Sequence, residues 1–230
     1  MTGDGTHSYM WDAEGRLTAV DGGSTASMAY NALGRMAQRI LPSNPSGWQN
    51  VEYQYDASGQ AIGGSIPAYP QVSARLPLPS GAIAYYMYSW NTTIFAHVNA
   101  SGSLTQTTSS TGGVAHRLTY YPWGQIWADA GTDYWEDNFA GQEMTMPESG
   151  LNYTPNRMYN PTPGRWLTPD ALGGSITNPQ SLNRYAYALN NPTTLTDPTG
   201  LQSGNGSCYQ YYCGPTDCPA QFDSCYSTSG

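Results

Sequence analysis

Apolar and polar residues alternate along the amino-terminal third of the chain, and the alternation is interrupted by short turn-like segments. Three of these segments share one skeleton, which is an aromatic residue, Asp or Asn, Ala, any residue, Gly, and Arg or Gln. The copies occupy residues 9–17, 28–36 and 53–60, and their glycines are 19 and 25 residues apart. This spacing is typical of a repeated, stacked β unit.

Each copy predicts a β-hairpin. A strand ends at the aromatic residue, Asp or Asn begins the turn by accepting backbone N–H bonds, and Gly supplies the positive φ of a tight return. One hairpin cannot bury its apolar face alone, so the units must stack or curl into a sheet.

The pattern weakens between residues 62 and 110. An aromatic strand is predicted at 85–90, a second strand at 94–98, and a turn at 99–102. The Thr- and Ser-rich run at 105–111 is predicted to be a solvated loop. The aromatic strand also permits a carbohydrate- or receptor-binding surface, an interpretation that rests on aromatic richness alone.

Composition supports an all-β fold. The chain has 26 Gly, 17 Pro, 19 Tyr and 7 Trp among 230 residues, a balance that favours strands and turns over helices. A β-sandwich with Tyr-rich hairpins would also suit this composition.

Charge limits the partners. Only 10% of residues are charged, none is Lys, and the net charge is −8, so we expect no nucleic acid to bind. Between residues 57 and 116 the single formal charge is Arg75, a composition that protects poorly against self-association. We find no apolar run long enough for a membrane span and no signal peptide, and we expect neither a cofactor nor a metal. The chain opens inside a repeat, which suggests a fragment of a longer protein.

All four cysteines fall within the last 23 residues. The spacing C-x4-C-x4-C-x6-C favours two disulfides over a zinc site, because structural zinc usually shows C-x2-C pairs or His ligands and no His lies nearby. The three possible pairings stay open for Cys208, Cys213, Cys218 and Cys225.

Further motifs follow His116. They occupy residues 118–124, 139–143, 149–153, 156–161, 164–170, 183–192 and 195–201. In order, content and spacing they resemble the repeat-associated core of the Rhs family, and the three hairpin units resemble its YD repeat. This family includes bacterial Rhs proteins, the C subunits of insecticidal toxin complexes and animal teneurins. Tyr121 departs from the family pattern, which has Asp at that position.

The resemblance implies a fold and an architecture. In this family many YD repeats spiral into a hollow β-shell that encloses a cargo. Three clear copies form only a small arc of such a shell, so upstream repeats or further copies of the chain are the expected partners, and the cargo is unknown. We predict stacked antiparallel hairpins in a curled sheet or partial β-shell. The expected divisions are repeats at 1–115, a turn-rich core at 116–201 and a Cys-rich tail at 202–230.

The resemblance also implies chemistry. In well-studied members the core is a self-cleaving aspartyl protease that cuts after its D-P-x-G-L block and releases a carboxy-terminal toxin. Matched motif by motif, the two acids are Asp170 and Asp197, the supporting cation is Arg157, and the cut falls between Leu201 and Gln202. Two close carboxylates share one proton, so one activates water while the other polarises the carbonyl.

Two alternatives to catalysis stay open. Asp197 precedes Pro and Asp170 follows Pro, so each could start or cap a turn and do no more. The 29 residues after Leu201 are also too few for an enzymatic toxin. The hypotheses are therefore a shell fragment with a cis-acting protease, or an extracellular, self-assembling filament-type protein without catalysis. Both predict an extracellular or cell-surface location.

Overall fold

The main sheet follows the order of the sequence. The computed structural model describes residues 1–43, 49–66, 69–78, 83–88, 90–131, 139–171, 173–201 and 203–205. Within them, twelve strands form one antiparallel sheet in which each strand pairs with the next. They are β1 Tyr9–Trp11, β2 Leu17–Val20, β3 Ala26–Tyr30, β4 Met36–Ile40, β5 Asn50–Tyr55, β6 Ala61–Ile66, β7 Tyr69–Pro77, β8 Ile83–Met87, β9 Thr92–Val98, β10 Leu104–Ser109, β11 Val114–Tyr120 and β12 Ile126–Gly131.

Two smaller sheets complete the architecture. The first has four antiparallel strands: β13 Met144–Met146, β14 Leu151–Tyr153, β15 Met158–Asn160 and β16 Arg165–Trp166. The second joins β17 Leu195–Thr196 to β18 Gly204–Asn205. Short 3₁₀ turns at Asp21–Gly23, Pro179–Leu182 and Tyr187–Asn190 are the helical elements of the described chain. The predicted all-β fold of stacked hairpins is confirmed, and no described helix is long and apolar enough to cross a membrane.

One turn geometry recurs in six hairpins. In each, a glycine N–H donates to the carbonyl three residues earlier, and the residue at that carbonyl donates its own N–H to the residue four positions later. The six glycines all have positive φ: Gly15, Gly34, Gly59, Gly102, Gly112 and Gly124. Asp12 adds side-chain bonds, because its Oδ1 accepts the N–H groups of Glu14 and Arg16 at 3.0 and 2.8 Å. Tyr121 lacks such an acceptor, yet its turn closes equally. Glycine is therefore the common determinant of the turn.

Neighbouring repeats are joined by the residues that the skeleton shares. The guanidinium of Arg16 lies 5.0 Å from the ring centre of Tyr30, and the hydroxyl of Tyr30 donates to the carbonyl of Leu17 at 2.7 Å. The next repeat uses the same bond, from Tyr55 to the carbonyl of Met36 at 2.7 Å. Arg16 of one repeat therefore packs over the tyrosine ring of the next.

The four-stranded sheet packs against the first repeats. One buried cluster unites side chains of β1 to β4 with side chains of the small sheet and its flanks. Its members are Tyr9, Leu17, Val20, Ala26, Met28, Met36, Leu41, Met144, Met146, Leu151, Tyr153, Met158 and Leu167. The core that follows the long sheet therefore returns to the beginning of that sheet.

The same small sheet also contacts the last repeats. A second buried cluster contains Phe139, Tyr159, Trp166 and Tyr187, with Trp123 from the turn between β11 and β12 packed against it. The hydroxyl of Tyr159 donates to the carbonyl of Trp123 at 2.7 Å. Because both ends of the twelve-stranded sheet contact one small sheet, the long sheet is curled around it.

One prediction is wrong. The run 105–111 is not a loop throughout, because Leu104–Ser109 forms strand β10 and Thr107 is buried within it. The divisions expected at residues 115 and 201 stay predictions. Gln202 and the four cysteines lie outside the described residues, so the disulfides stay a prediction.

Candidate functional site

Arg157 is held by the turn between β14 and β15. The Thr154 hydroxyl donates to the carbonyl of Arg157 at 2.8 Å and accepts its N–H at 3.2 Å. The guanidinium then lies 4.3 Å from the ring centre of Trp166, a fully buried residue on β16. The Trp166 ring therefore fixes the orientation of the Arg157 guanidinium. The side chain of Arg157 is only 4% exposed.

The two predicted acids both contact this cation. Nη2 of Arg157 lies 2.7 Å from Oδ2 of Asp170 and 3.2 Å from Oδ2 of Asp197. The two carboxylate oxygens therefore cannot lie farther apart than the sum of these distances. Asp170 follows β16, and Asp197 follows β17, so three separate elements bring the predicted residues to one point.

The two acids differ in their surroundings. The side chain of Asp170 is 19% exposed, whereas that of Asp197 is 3% exposed. Burial raises the pKa of the Asp197 carboxyl, and the charge of Asp170 acts in the same direction. The guanidinium of Arg157 and the N–H groups of Gly200 and Leu201 oppose this increase in the pKa of Asp197.

Arg157 supplies the positive charge that faces both acids. Burial lowers the pKa of its guanidinium, and the two carboxylates oppose that effect. Arginine nevertheless stays charged near neutral pH, because its ordinary pKa lies far above it. One cation and two carboxyl groups would leave a net negative charge in a buried place, and this is the situation in which one carboxyl retains a proton.

Asp197 also closes the turn that precedes the expected cut. Its Oδ1 accepts the N–H of Gly200 at 2.8 Å and that of Leu201 at 3.1 Å. The turn interpretation of Asp197 is thus part of the geometry, and it coexists with the pairing to Arg157. The structure brings Leu201 directly to the acid, while Gln202 is outside the described residues.

Two further contacts hold the segment before Leu201. Nε of Arg157 donates to the carbonyl of Gly200, and the amide of Asn156 donates to the carbonyl of Thr199 at 2.9 Å. Gly200 has φ +78°, and a Cβ there would collide with the hydroxyl of Thr154. The role of Asn156 is not predictable from the sequence, because its amide acts on a backbone carbonyl, which leaves no sequence signal.

Among the residues that the structure describes, no group of three His, Cys, Asp or Glu side chains is placed to hold a metal ion. The arrangement offers instead a buried acid, a half-buried acid and a shared cation beside a constrained backbone segment. This combination suits acid–base chemistry on a peptide bond.

Comparison with known proteins identifies related chains. Residues 82–193 match the family described as Teneurin YD-shell. The tRNA3(Ser)-specific nuclease WapA of Bacillus spizizenii is 30% identical over 212 residues, or 86% of this chain. Toxin subunit YenC2 of Yersinia entomophaga is 38% identical over 87 residues, or 36% of this chain. The match covers 9% of WapA and 8% of YenC2, so this chain spans less than a tenth of these relatives.

A solved structure supports the fold. The crystal structure of TcdB2-TccC3-TEV matches 86% of this chain and 10% of its own chain, with a TM-score of 0.65 and 23% identity. At this identity the likeness concerns the fold alone. The recurrent hairpin turn, the core motifs and the matches to the YD-shell model and the toxin relatives together show that the chain belongs to the Rhs/YD-repeat family.

Proposed function

We propose that the chain is the carboxy-terminal part of an Rhs/YD-repeat β-shell and that its core is an aspartyl protease acting on its own chain near Leu201. The observation that supports this most directly is the placement of Asp170 and Asp197 on one nitrogen of Arg157, beside Leu201. Enzyme and substrate are one molecule, so a single hydrolysis ends the activity.

The surroundings assign a role to each acid. Asp170 is the better exposed of the two and is paired with Arg157, so we assign it as the base that takes a proton from water. Asp197 is buried, and burial raises its pKa, so we assign it as the acid that donates a proton. The hydroxide formed attacks the carbonyl carbon of Leu201, and the acid supplies a proton to the departing nitrogen of Gln202. The products are a new carboxylate and a new amine.

The rate of the proposed cut depends on a peptide segment that is held in place before the reaction. Asn156 and Arg157 hold the carbonyls of Thr199 and Gly200, so the peptide is presented without a binding step. Fixing reacting groups in this way is a large catalytic term, because orientation is established when the core folds.

Intact mass spectrometry tests the activity. Freshly made chain is expected to show a break near Leu201, and the variants Asp170→Asn and Asp197→Asn are expected to stay whole. Asp56→Asn is the matched control, because Asn31 fills the equivalent turn position in another repeat. A single full-length mass for wild type, or equal cutting in all variants, would refute self-cleavage.

The relatives support a shell role over a cargo role. WapA is named a tRNA nuclease and YenC2 a toxin subunit, yet both match this segment. A segment shared by proteins with different named activities is best assigned to the common shell. We therefore propose that this chain operates with upstream shell repeats, at an extracellular or cell-surface location.

A second candidate is self-assembly without catalysis. Strand β12 is the last strand of the long sheet, all six of its residues are exposed, and Trp127 is 68% exposed. Open strand edges of low charge favour pairing between chains. Sedimentation velocity tests this: wild type should form larger species that Trp127→Arg reduces. A monomer at high concentration would exclude the candidate.

A further inference from the structure

Arg184 lies on a segment that runs against the segment carrying Asp170. The N–H of Trp166 donates to the carbonyl of Tyr185 at 3.0 Å. Four residues later, the N–H of Asp170 donates to the carbonyl of Arg184 at 2.9 Å. Trp166 is fully buried, so this pairing is anchored in the core at one end and reaches the candidate acid at the other.

Arg184 holds the peptide groups on both sides of the Asp170 side chain. Its carbonyl accepts the Asp170 N–H, and its guanidinium donates to the Asp170 carbonyl through Nε at 2.7 Å and through Nη2. The same Arg184 carbonyl also accepts Nη1 of Arg157 at 3.2 Å. One residue therefore contacts the backbone of the acid and the side chain of its cationic partner.

We propose that Arg184 is a positioning residue that sets the carboxyl group of Asp170 against Arg157. This inference rests on the proposed protease function. With both peptide groups of Asp170 fixed, only its two side-chain torsions decide where the carboxyl group lies, and its Oδ2 lies 2.7 Å from Nη2 of Arg157. Arg184 does not touch the carboxyl group in the described contacts, so it acts through geometry.

The planar fork of the Arg184 guanidinium is the feature that holds the Asp170 carbonyl. Arg184 is exposed, so solvent screens its charge, and its two donors converge on one carbonyl oxygen. An ammonium group carries the same charge without the planar fork. Arg184→Lys therefore separates charge from geometry, and Arg184→Met removes both.

The first arm of the test measures cutting. The fraction cut near Leu201 is followed over time in cell-free synthesis, beside the thermal unfolding midpoint of each variant. Arg184→Met is expected to slow cutting by about 10- to 100-fold, the usual effect of a small misplacement of a catalytic group. Arg184→Lys is expected to restore part of the rate. Arg117→Met, at an exposed arginine on β11, is the matched control for loss of one charge.

The second arm does not depend on cutting. In an Asp197→Asn background, the carbon resonance of the Asp170 carboxyl is compared by NMR between Arg184→Met and Arg117→Met. A displaced resonance in Arg184→Met alone supports the positioning role. This holds even if the chain is never cut, in which case only the protease proposal fails. An unchanged resonance overturns the positioning role, whatever the cutting rate.

Discussion

Asp12 in the first repeat and Asp197 in the candidate site make similar hydrogen bonds to their own turns. They differ in burial and in how far along the chain their arginine partner lies. Each Oδ1 accepts two backbone N–H groups of the turn that follows it. Asp12 then pairs with Arg16, four residues away at 2.7 Å, and stays in contact with solvent. Asp197 pairs with Arg157, forty residues away, and is buried.

This difference reverses the electrostatics of the two acids. Burial is the largest single influence on the pKa of Asp12 and raises it, but the hydrogen bonds and charge of Arg16 and the N–H of Glu14 together outweigh burial and lower the pKa. At Asp197 burial prevails and the pKa is raised. A turn motif thus becomes a candidate acid when the fold removes water from it and brings a distant cation to it.

The largest expected effect comes from removing the distant cation. Arg157→Met removes the buried cation that contacts both acids and the carbonyl of Gly200, and breaking a buried ion pair in this way costs about 3–5 kcal/mol. Arg16→Met is the matched change at an exposed pair and should alter stability far less. Chemical denaturation of both variants measures the difference. Equal losses would contradict the contrast between the two aspartates.

Two glycines with the same φ separate the effect of close packing on stability from the effect of backbone strain. Gly15 and Gly200 both have φ +78°, but a Cβ at Gly15 meets open space, whereas one at Gly200 meets Thr154. Gly15→Ala should cost about 1 kcal/mol from backbone strain. Gly200→Ala should cost more, because Thr154 is buried and cannot move aside. Similar losses in denaturant titrations would show that the Gly200 turn has room to relax.

The two aspartates should respond to pH with opposite signs. The folded pKa of Asp12 is below the ordinary value of 3.8, so its contribution to stability is present above that value and is lost as pH falls. The folded pKa of Asp197 is above 3.8, so stability is lost as pH rises from that value to the folded pKa.

Unfolding midpoints between about pH 3 and about pH 7 measure both effects. Asp12→Asn should lose less stability on acidification than wild type, and Asp197→Asn should lose more. Shifts of the same sign in the two variants would contradict this assignment.

The smallest expected effect concerns Tyr121. Tyr121→Asp adds the acceptor that the turns at Asp12, Asn31, Asp56 and Asn99 have, which is worth about 1 kcal/mol at most, and it removes a ring packed near Trp127. The hairpin should persist, because Gly124 already closes the turn. Amide hydrogen exchange across β11 and β12 checks this. A loss of protection there would mean that glycine does not specify the turn.

The repeats were predictable because their determinants are close together in the sequence. The turn at Asp12 closes within four residues, and the same signal identified the turns at Asn31, Asp56 and Asn99. Strand β10 was missed because its buried Thr107 is polar, so the run looked like a solvated loop.

The site was predictable only in part. Resemblance to the family nominated Arg157, Asp170 and Asp197, and the structure places them together. The roles of Asn156 and Arg184 were not predictable, because both act on backbone carbonyls, which every residue presents. Whether these acids cut the chain is a prediction for the mass measurement to decide.

The core sheet packs against Leu17 and Met36, which are made early in synthesis, while Asp197 and Leu201 are made late. Domains generally fold as the chain emerges, from the amino terminus onward. In a chain whose first repeats are not assembled, the small sheet whose β14–β15 turn carries Arg157 lacks the surface against which it packs. Under the self-cleavage proposed above, this packing would delay the cut until the first repeats and the core have come together.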